Sequence, residues 1–207
     1  MRTGFGTVVV AGCILREDIL EDRRLVVVGP HREAKRRYIP RTYGNLARLV
    51  RNNVVYLANL AALEQLYREV RRPFFPRQEF GPLVYEGALA TLAGAKTERV
   101  KRLKAMAAKV PDANRAAGEL RENLDALGEL FTGEAAAAAG AGAAAEAFLA
   151  GFAQAVEGET SYIKAIKSLT PALSAQGVQW LEQTVDTLCA RAGALLPSLG
   201  VCTPGKR

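Results

Sequence analysis

Four acidic residues in the second half of the chain have a spacing that could hold a metal ion. Glu119 and Glu122 are three residues apart, and Glu182 and Asp186 are four apart, so each pair shares a face if its segment is helical. Hard cations such as Mg²⁺ are bound by several carboxylate oxygens. The four residues are therefore remote candidates for a metal site, of the kind that a magnesium-dependent all-α hydrolase would use. The simpler interpretation is that they are solvated residues beside the apolar stripe of their helices.

The rest of the chain offers few groups for catalysis. It contains one histidine, His31, so paired Glu-x-x-His elements are excluded, and no Gly-x-Ser-x-Gly motif is present. Gly4-Phe5-Gly6 precedes an apolar run, whereas a Rossmann phosphate turn follows a strand. Cys13, Cys189 and Cys202 are far apart and form no Cys-x-x-Cys pair. We therefore predict a protein that is not an enzyme and has no cofactor.

The positive side chains are a better indication of function. Residues 1–109 hold 21 Lys and Arg against 10 Asp and Glu, a net charge of +11, whereas residues 110–207 hold 7 against 11, a net charge of −4. Clustered cations bind phosphates by releasing counterions. The candidate nucleic-acid-binding residues are Arg32, Lys35, Arg36, Arg37, Arg71, Arg72, Arg99 and Arg102. The alternatives are a solvated basic face, or a face that docks on the acidic half of the chain or on a partner.

The first forty residues have the pattern of β-strands. Two β-branched runs, residues 7–11 and 25–29, are separated by the charge-dense stretch Arg16–Arg24. This pattern predicts an N-terminal β-hairpin, with a short βαβ unit as the alternative. Because a two-stranded hairpin is not stable alone, it must pack against something else.

From residue 41 the apolar pattern becomes helical. Two seven-residue series run through a predicted first helix that Pro73 ends: Leu49, Tyr56, Leu63 and Val70, and Leu46, Asn53, Leu60 and Tyr67. The predicted helices cover about 43–72, 79–110, 111–132, 134–156, 161–169 and 170–197. Thr170 as N-cap with Pro171 at the first helical position marks the start of the last one.

These elements predict a mainly α protein, an antiparallel bundle of five to six helices with a small N-terminal β-hairpin. Its expected parts are residues 1–40, the bundle 41–197 and a frayed tail 198–207. We expect no membrane span and a reduced, cytoplasmic protein. The function predicted is that of a non-enzymatic interaction or scaffold protein, self-associating through the long helix or the Ala-rich stretch Ala135–Ala147, or binding another protein. The alternative is a nucleic-acid-binding accessory protein for RNA or DNA.

Overall fold

The structure, a computed structural model, describes residues 1–28, 45–110 and 115–201. These residues belong to two compact units, one containing residues 1–28 and the other containing the two later ranges. The described part of the second unit contains seven α-helices: α1 (Leu46–Gln65), α2 (Gly81–Ala107), α3 (Arg115–Thr132), α4 (Glu134–Ala139), α5 (Ala143–Ala155), α6 (Tyr162–Ser168) and α7 (Pro171–Leu195). The prediction of a mainly α protein with a small N-terminal β element is confirmed.

The N-terminal strands are parallel, so the predicted hairpin is wrong. β1 (Val8–Val9) pairs with β2 (Leu25–Val26) in parallel register. An isolated parallel bridge joins Thr3 to Ile19 and extends the same arrangement toward the N-terminus. We call this pairing within residues 2–28 the parallel ladder.

Carboxylates in the connecting segment explain the parallel direction. The backbone N–H of Arg2 donates to Asp18 Oδ1 at 2.8 Å, and that of Phe5 donates to Asp22 Oδ1 at 2.7 Å. The Gly4 N–H donates to a backbone carbonyl of the same connection at 2.6 Å. The charged stretch therefore runs beside the first segment instead of reversing the chain, and it contains no helix, so the βαβ alternative is not formed either.

The first seven-residue series, Leu49, Tyr56, Leu63 and Val70, does not coincide with the buried face of α1. Tyr56 and Leu63, which belong to that series, are exposed. The buried residues of α1 are Leu46, Val50, Val54, Leu57, Ala58, Ala61, Ala62 and Gln65. An ideal helix has 3.6 residues per turn, so a stripe spaced by three and four residues drifts away from a strict seven-residue repeat. Because α1 contacts α2, α3 and α7, its apolar stripe is also broad.

Two predicted helices differ in detail from the observed ones. After α1 the chain continues as a π-helical segment, Leu66–Arg71, and then as a 3-10 helix, Arg72–Arg77. The change begins before Pro73, which has no N–H for a regular helical bond. The Ala-rich stretch divides into α4 and α5 at Gly140 and Gly142, and Gly142 has a φ of +136° that suits glycine. This division raises the number of α-helices from the predicted five or six to seven.

The second unit has two hydrophobic clusters. The larger one unites α1, α2, α3, α4 and α7 around fully buried residues such as Leu57, Leu120, Phe131 and Leu188. The smaller one consists of Val70, Phe74, Ala145, Phe148, Phe152, Ala165 and Trp180. The Trp180 indole N–H donates to the Gly140 carbonyl at 2.7 Å, so the polar atom of this buried ring is satisfied.

Candidate functional site

The structure separates the predicted nucleic-acid-binding residues. Arg32, Lys35, Arg36 and Arg37 lie outside the described residues. Arg71 and Arg72 lie where the π-helical segment meets the 3-10 helix after α1, and Arg99 and Arg102 lie on α2. Each described residue of the set therefore has to be considered by its own contacts.

The two arginines on α2 interact within the protein. The Arg99 guanidinium carbon lies 4.4 Å from the centre of the Tyr56 ring, and Arg99 Nη1 donates to Asn53 Oδ1 at 3.4 Å. Arg99 thus joins α2 to α1. Arg102 Nε donates to Glu98 at 2.9 Å, one helical turn away, and this hydrogen bond lowers the pKa of Glu98. These contacts leave both side chains less available for a ligand than the sequence predicts.

The other cations on α1, on α2 and just after α2 differ in whether they have a partner. Lys104 on α2 pairs with Asp125 on α3 at 2.5 Å, so it is neutralised from the acidic half of the chain. By contrast, Arg48, Arg51 and Lys109 have no carboxylate partner among the described residues. The predicted basic surface is therefore divided between paired and unpaired cations.

One carboxylate on α1 holds two cations, one of them buried and the other exposed. The Lys96 ammonium on α2 donates to Glu64 Oε2 at 2.6 Å, and Arg68 donates to Glu64 Oε1 at 2.6 and 2.9 Å. Lys96 is only 4% exposed. We call Glu64, Arg68 and Lys96 the ionic cluster. It lines a cleft of about 320 Å³ that is closed on its other side by Thr132–Ala137.

The position of Gln65 ties this cleft to α4. Its side-chain amide donates to the Ala137 carbonyl at 3.2 Å, close to the end of α4. A Cβ on Gly140 would lie 2.8 Å from the Gln65 side chain, so glycine permits this approach. The ionic cluster therefore ties α2 to α1, and the neighbouring Gln65 ties α4 to α1.

The ionic cluster lowers the pKa of its carboxylate. Burial alone would raise the pKa of Glu64, but the hydrogen bonds from Lys96 and Arg68, together with their positive charges, outweigh it and bring the pKa below 4.5. The contribution of Glu64 to stability is therefore complete above pH 4.5 and is lost as the pH falls through the lower pKa of the folded protein.

We expect acid to remove the stability that Glu64 supplies. The free energy of unfolding of the natural chain should fall more steeply than that of Glu64→Gln as the pH is lowered from about 7 to about 3, because only the natural side chain loses its charge in this range. Urea unfolding at several pH values measures the difference. Parallel curves for the two proteins would contradict the assignment.

Arg71 lies among three aromatic rings. Its guanidinium carbon is 4.4 Å from the ring centre of Tyr67, 4.8 Å from that of Tyr162 and 5.5 Å from that of Phe75. Its Nε atom is buried and has no hydrogen-bond partner. We call these four residues the arginine cage. A guanidinium over ring faces gains cation–π attraction, but none of its N–H groups is satisfied by this contact.

The four acidic candidates do not come together as a metal site. The Glu119 carboxylate accepts the backbone N–H of Ser198 at 3.1 Å and so caps the short 3-10 turn after α7. Glu122, Glu182 and Asp186 are exposed on α3 and α7. Within the ranges that the structure describes, no three Asp, Glu, His or Cys residues are grouped so that they could hold a metal ion.

Sequence reasoning missed the ionic cluster and the ring contacts of Arg71. The ionic cluster could have been suspected from the position of Lys96. This lysine lies four residues after Leu92 and seven before Leu103, and so on the apolar stripe of α2. A lysine at such a position needs a partner if it is to remain charged. No comparable signal marks Tyr162, which is distant in sequence from the segment it contacts.

Comparisons with protein-family models, curated proteins and solved structures find no match for this chain. Across the described ranges, every helix is too short or too polar to cross a lipid bilayer. Function is therefore inferred from the side chains and their contacts.

Proposed function

We propose that this chain is a non-enzymatic interaction protein that self-associates through one face of the parallel ladder. The observation that carries the proposal is the exposure of aliphatic side chains on that face. Val8, Val10, Leu25 and Val27 are 59%, 40%, 70% and 68% exposed. Residues next to them in β1 and β2 are less exposed, as expected where successive side chains point to opposite faces of a strand. We call these four residues the ladder face.

A bare ladder face is unfavourable for an isolated unit. Parallel sheets normally have both faces covered, and two strands alone do not supply independent stability. The two hydrophobic clusters of the described residues both lie in the second unit. Removing aliphatic surface from water contributes about 25 cal/mol per Å². Association would therefore give the ladder the burial that its own residues do not provide.

A second copy of the chain is the partner that suits this face. Its exposed residues are all aliphatic and occupy paired positions on both strands, so two such faces related by a twofold axis present the same chemistry to each other. Residues 1–28, which contain the ladder, carry four arginines and four acidic residues, so the side chains beside the ladder face balance in charge. Large exposed apolar patches mark interaction sites in soluble proteins.

The surfaces first predicted for self-association are less suitable. The apolar stripe of α1 packs within the larger hydrophobic cluster. In the Ala-rich stretch, Ala136 and Ala145 are buried within the second unit, and the exposed alanines offer little apolar surface each. The ladder face therefore supports the proposal better than either helix does.

The mass of the protein in solution tests this proposal. Light scattering after size exclusion, combined with sedimentation equilibrium over a range of concentrations, should give a mass that rises from one copy toward two or more. A single-copy mass at every concentration would contradict self-association.

One observation favours a second candidate function, binding to RNA or DNA at one end of the helical unit. Leu46 and Val50 at the start of α1 share a hydrophobic cluster with Leu103 and Ala107 near the end of α2. The cations without a carboxylate partner lie in the same parts of the chain: Arg48 and Arg51 in the first turns of α1, and Lys109 just after the end of α2. Such a group of cations would bind phosphates with an affinity that depends on salt.

We expect the double variant Arg48→Gln, Lys109→Gln to bind single-stranded RNA more weakly than the natural chain. The slope of log affinity against log salt should fall in magnitude by about 1–2, because up to two phosphate contacts are lost. Fluorescence anisotropy with a labelled oligonucleotide measures both quantities. Lys164→Gln, Lys167→Gln on α6 is the control with the same change of charge. No binding at low salt would exclude this function.

A further inference from the structure

We infer that the arginine cage is a binding site for an oxyanion group, a phosphate or a carboxylate. Arg71 ends the π-helical segment, and the rings of Tyr67, Phe75 and Tyr162 surround its guanidinium. This site is separate from the ladder face and from the cations of the second candidate function. Its ligand would be held by the edge of the guanidinium that the rings do not cover.

One buried donor of Arg71 is left without an acceptor. A guanidinium carries five N–H donors, and the buried Nε–H of Arg71 has no hydrogen-bond partner among the described residues. Leaving a buried donor without a partner costs about 1–3 kcal/mol. An oxyanion whose two oxygens accept parallel bonds from the Nε–H and one Nη–H is the partner that matches this geometry.

Among the residues that the structure describes, no carboxylate forms an ion pair with the Arg71 guanidinium. Glu64 is already bound by Lys96 and Arg68. Glu159 accepts the backbone N–H groups of Thr160 and Ser161, both at 2.8 Å. The positive charge of Arg71 is therefore offset by ring faces alone, and a charge of this kind attracts an anion.

Packing of the cage rings against each other and against Phe74 holds the guanidinium in one orientation. Tyr67 and Phe75 stack on each other with their centres 6.2 Å apart, and Tyr162 packs against Phe74 at 5.8 Å. Burial raises the pKa of Tyr162, although the charge of Arg71 lowers it, so this hydroxyl stays neutral at physiological pH. A rigid, neutral surround preorganises the cation and reduces the cost of binding.

The π-helical segment explains how these groups come together. A π-helical stretch re-aims side chains relative to a regular helix and is frequent at functional sites. Here it lies directly before the 3-10 helix that carries Phe74 and Phe75, both buried. The local backbone therefore places Tyr67, Arg71 and Phe75 beside one another.

Titration of the full chain with inorganic phosphate and, separately, with acetate tests the site. The probes are followed by calorimetry and by the NMR signals of the Tyr67 and Tyr162 rings. We expect saturable binding of at least one of the two anions, with shifts in both rings. The anion that binds more tightly identifies the class of ligand. If neither anion produces saturable shifts in these rings, the inference is overturned.

Two matched variants separate recognition from packing. Arg71→Lys keeps a cation on the rings but loses the fork of donors, so the affinity for the anion should fall about tenfold or more while the thermal unfolding curve changes little. Arg72→Lys, at the exposed neighbouring position, should bind within about twofold of the natural chain. Equal affinities for all three proteins would overturn the inference. Should Arg71→Lys fail to fold, the ring shifts of the natural chain alone decide the outcome.

Discussion

Replacing Val8 with Lys is expected to convert the self-associated protein into a single-copy species. Val8 is 59% exposed and lies opposite Leu25 on the ladder face. In an interface between two ladder faces, the lysine would bury a charge without a partner, which costs several kcal/mol. Since about 1.4 kcal/mol corresponds to a tenfold change in affinity, self-association should weaken by about a hundredfold or more. Sedimentation equilibrium measures this change directly.

A valine on the other unit provides the control. Val178 on α7 is 55% exposed, so Val178→Lys makes the same chemical change at a similarly exposed position outside the ladder. We expect this variant to self-associate like the natural chain. If Val178→Lys abolishes association and Val8→Lys does not, the contact lies on the helical unit and the ladder face is the wrong surface.

Replacing Glu64 with Gln should cause the largest loss of stability among the single substitutions considered. The change leaves the Lys96 ammonium buried without its counter-charge, and removing one partner of a buried ion pair typically costs 3–5 kcal/mol. Because the Glu64 side chain retains 17% exposure, we expect about 2–3 kcal/mol. Chemical denaturation at neutral pH, evaluated as the free energy of unfolding, measures the loss.

Two further proteins make this prediction specific to the ionic cluster. Glu98→Gln removes the same charge from an exposed pair with Arg102 and should leave the free energy of unfolding essentially unchanged. The double variant Glu64→Gln, Lys96→Met replaces the charge pair by neutral groups and should recover most of the lost stability. A double variant as unstable as the single one would contradict the view that an uncompensated lysine causes the loss.

The helix boundaries could be predicted where local chemistry determines them. Thr170 accepts the Leu173 N–H at 3.2 Å, so the N-cap expected from the sequence is formed. The exposed face of α1 could not be predicted from apolar spacing alone. Tyr56, for example, is exposed at the edge of α1, where its ring contacts Arg99 on α2.

The strand direction and the polar clusters depend on contacts between distant parts of the chain. Two valine-rich runs are compatible with a hairpin and with a parallel pair. The parallel pair is favoured by two hydrogen bonds, from the backbone N–H of Arg2 to Asp18 and from that of Phe5 to Asp22. The pairing of Lys96 with Glu64 likewise joins residues on different helices. The predicted role of Arg102 in binding a ligand took no account of Glu98, one turn before it on the same helix.

Contacts between copies test the ladder face most directly. A sample that mixes chains carrying labelled valine and leucine methyl groups with unlabelled chains gives NMR cross-peaks only between different copies. We predict such cross-peaks from the methyl groups of Val8, Val10, Leu25 and Val27. Cross-peaks that come only from helical residues such as Val178, or no cross-peaks between copies at all, would contradict association through the parallel ladder.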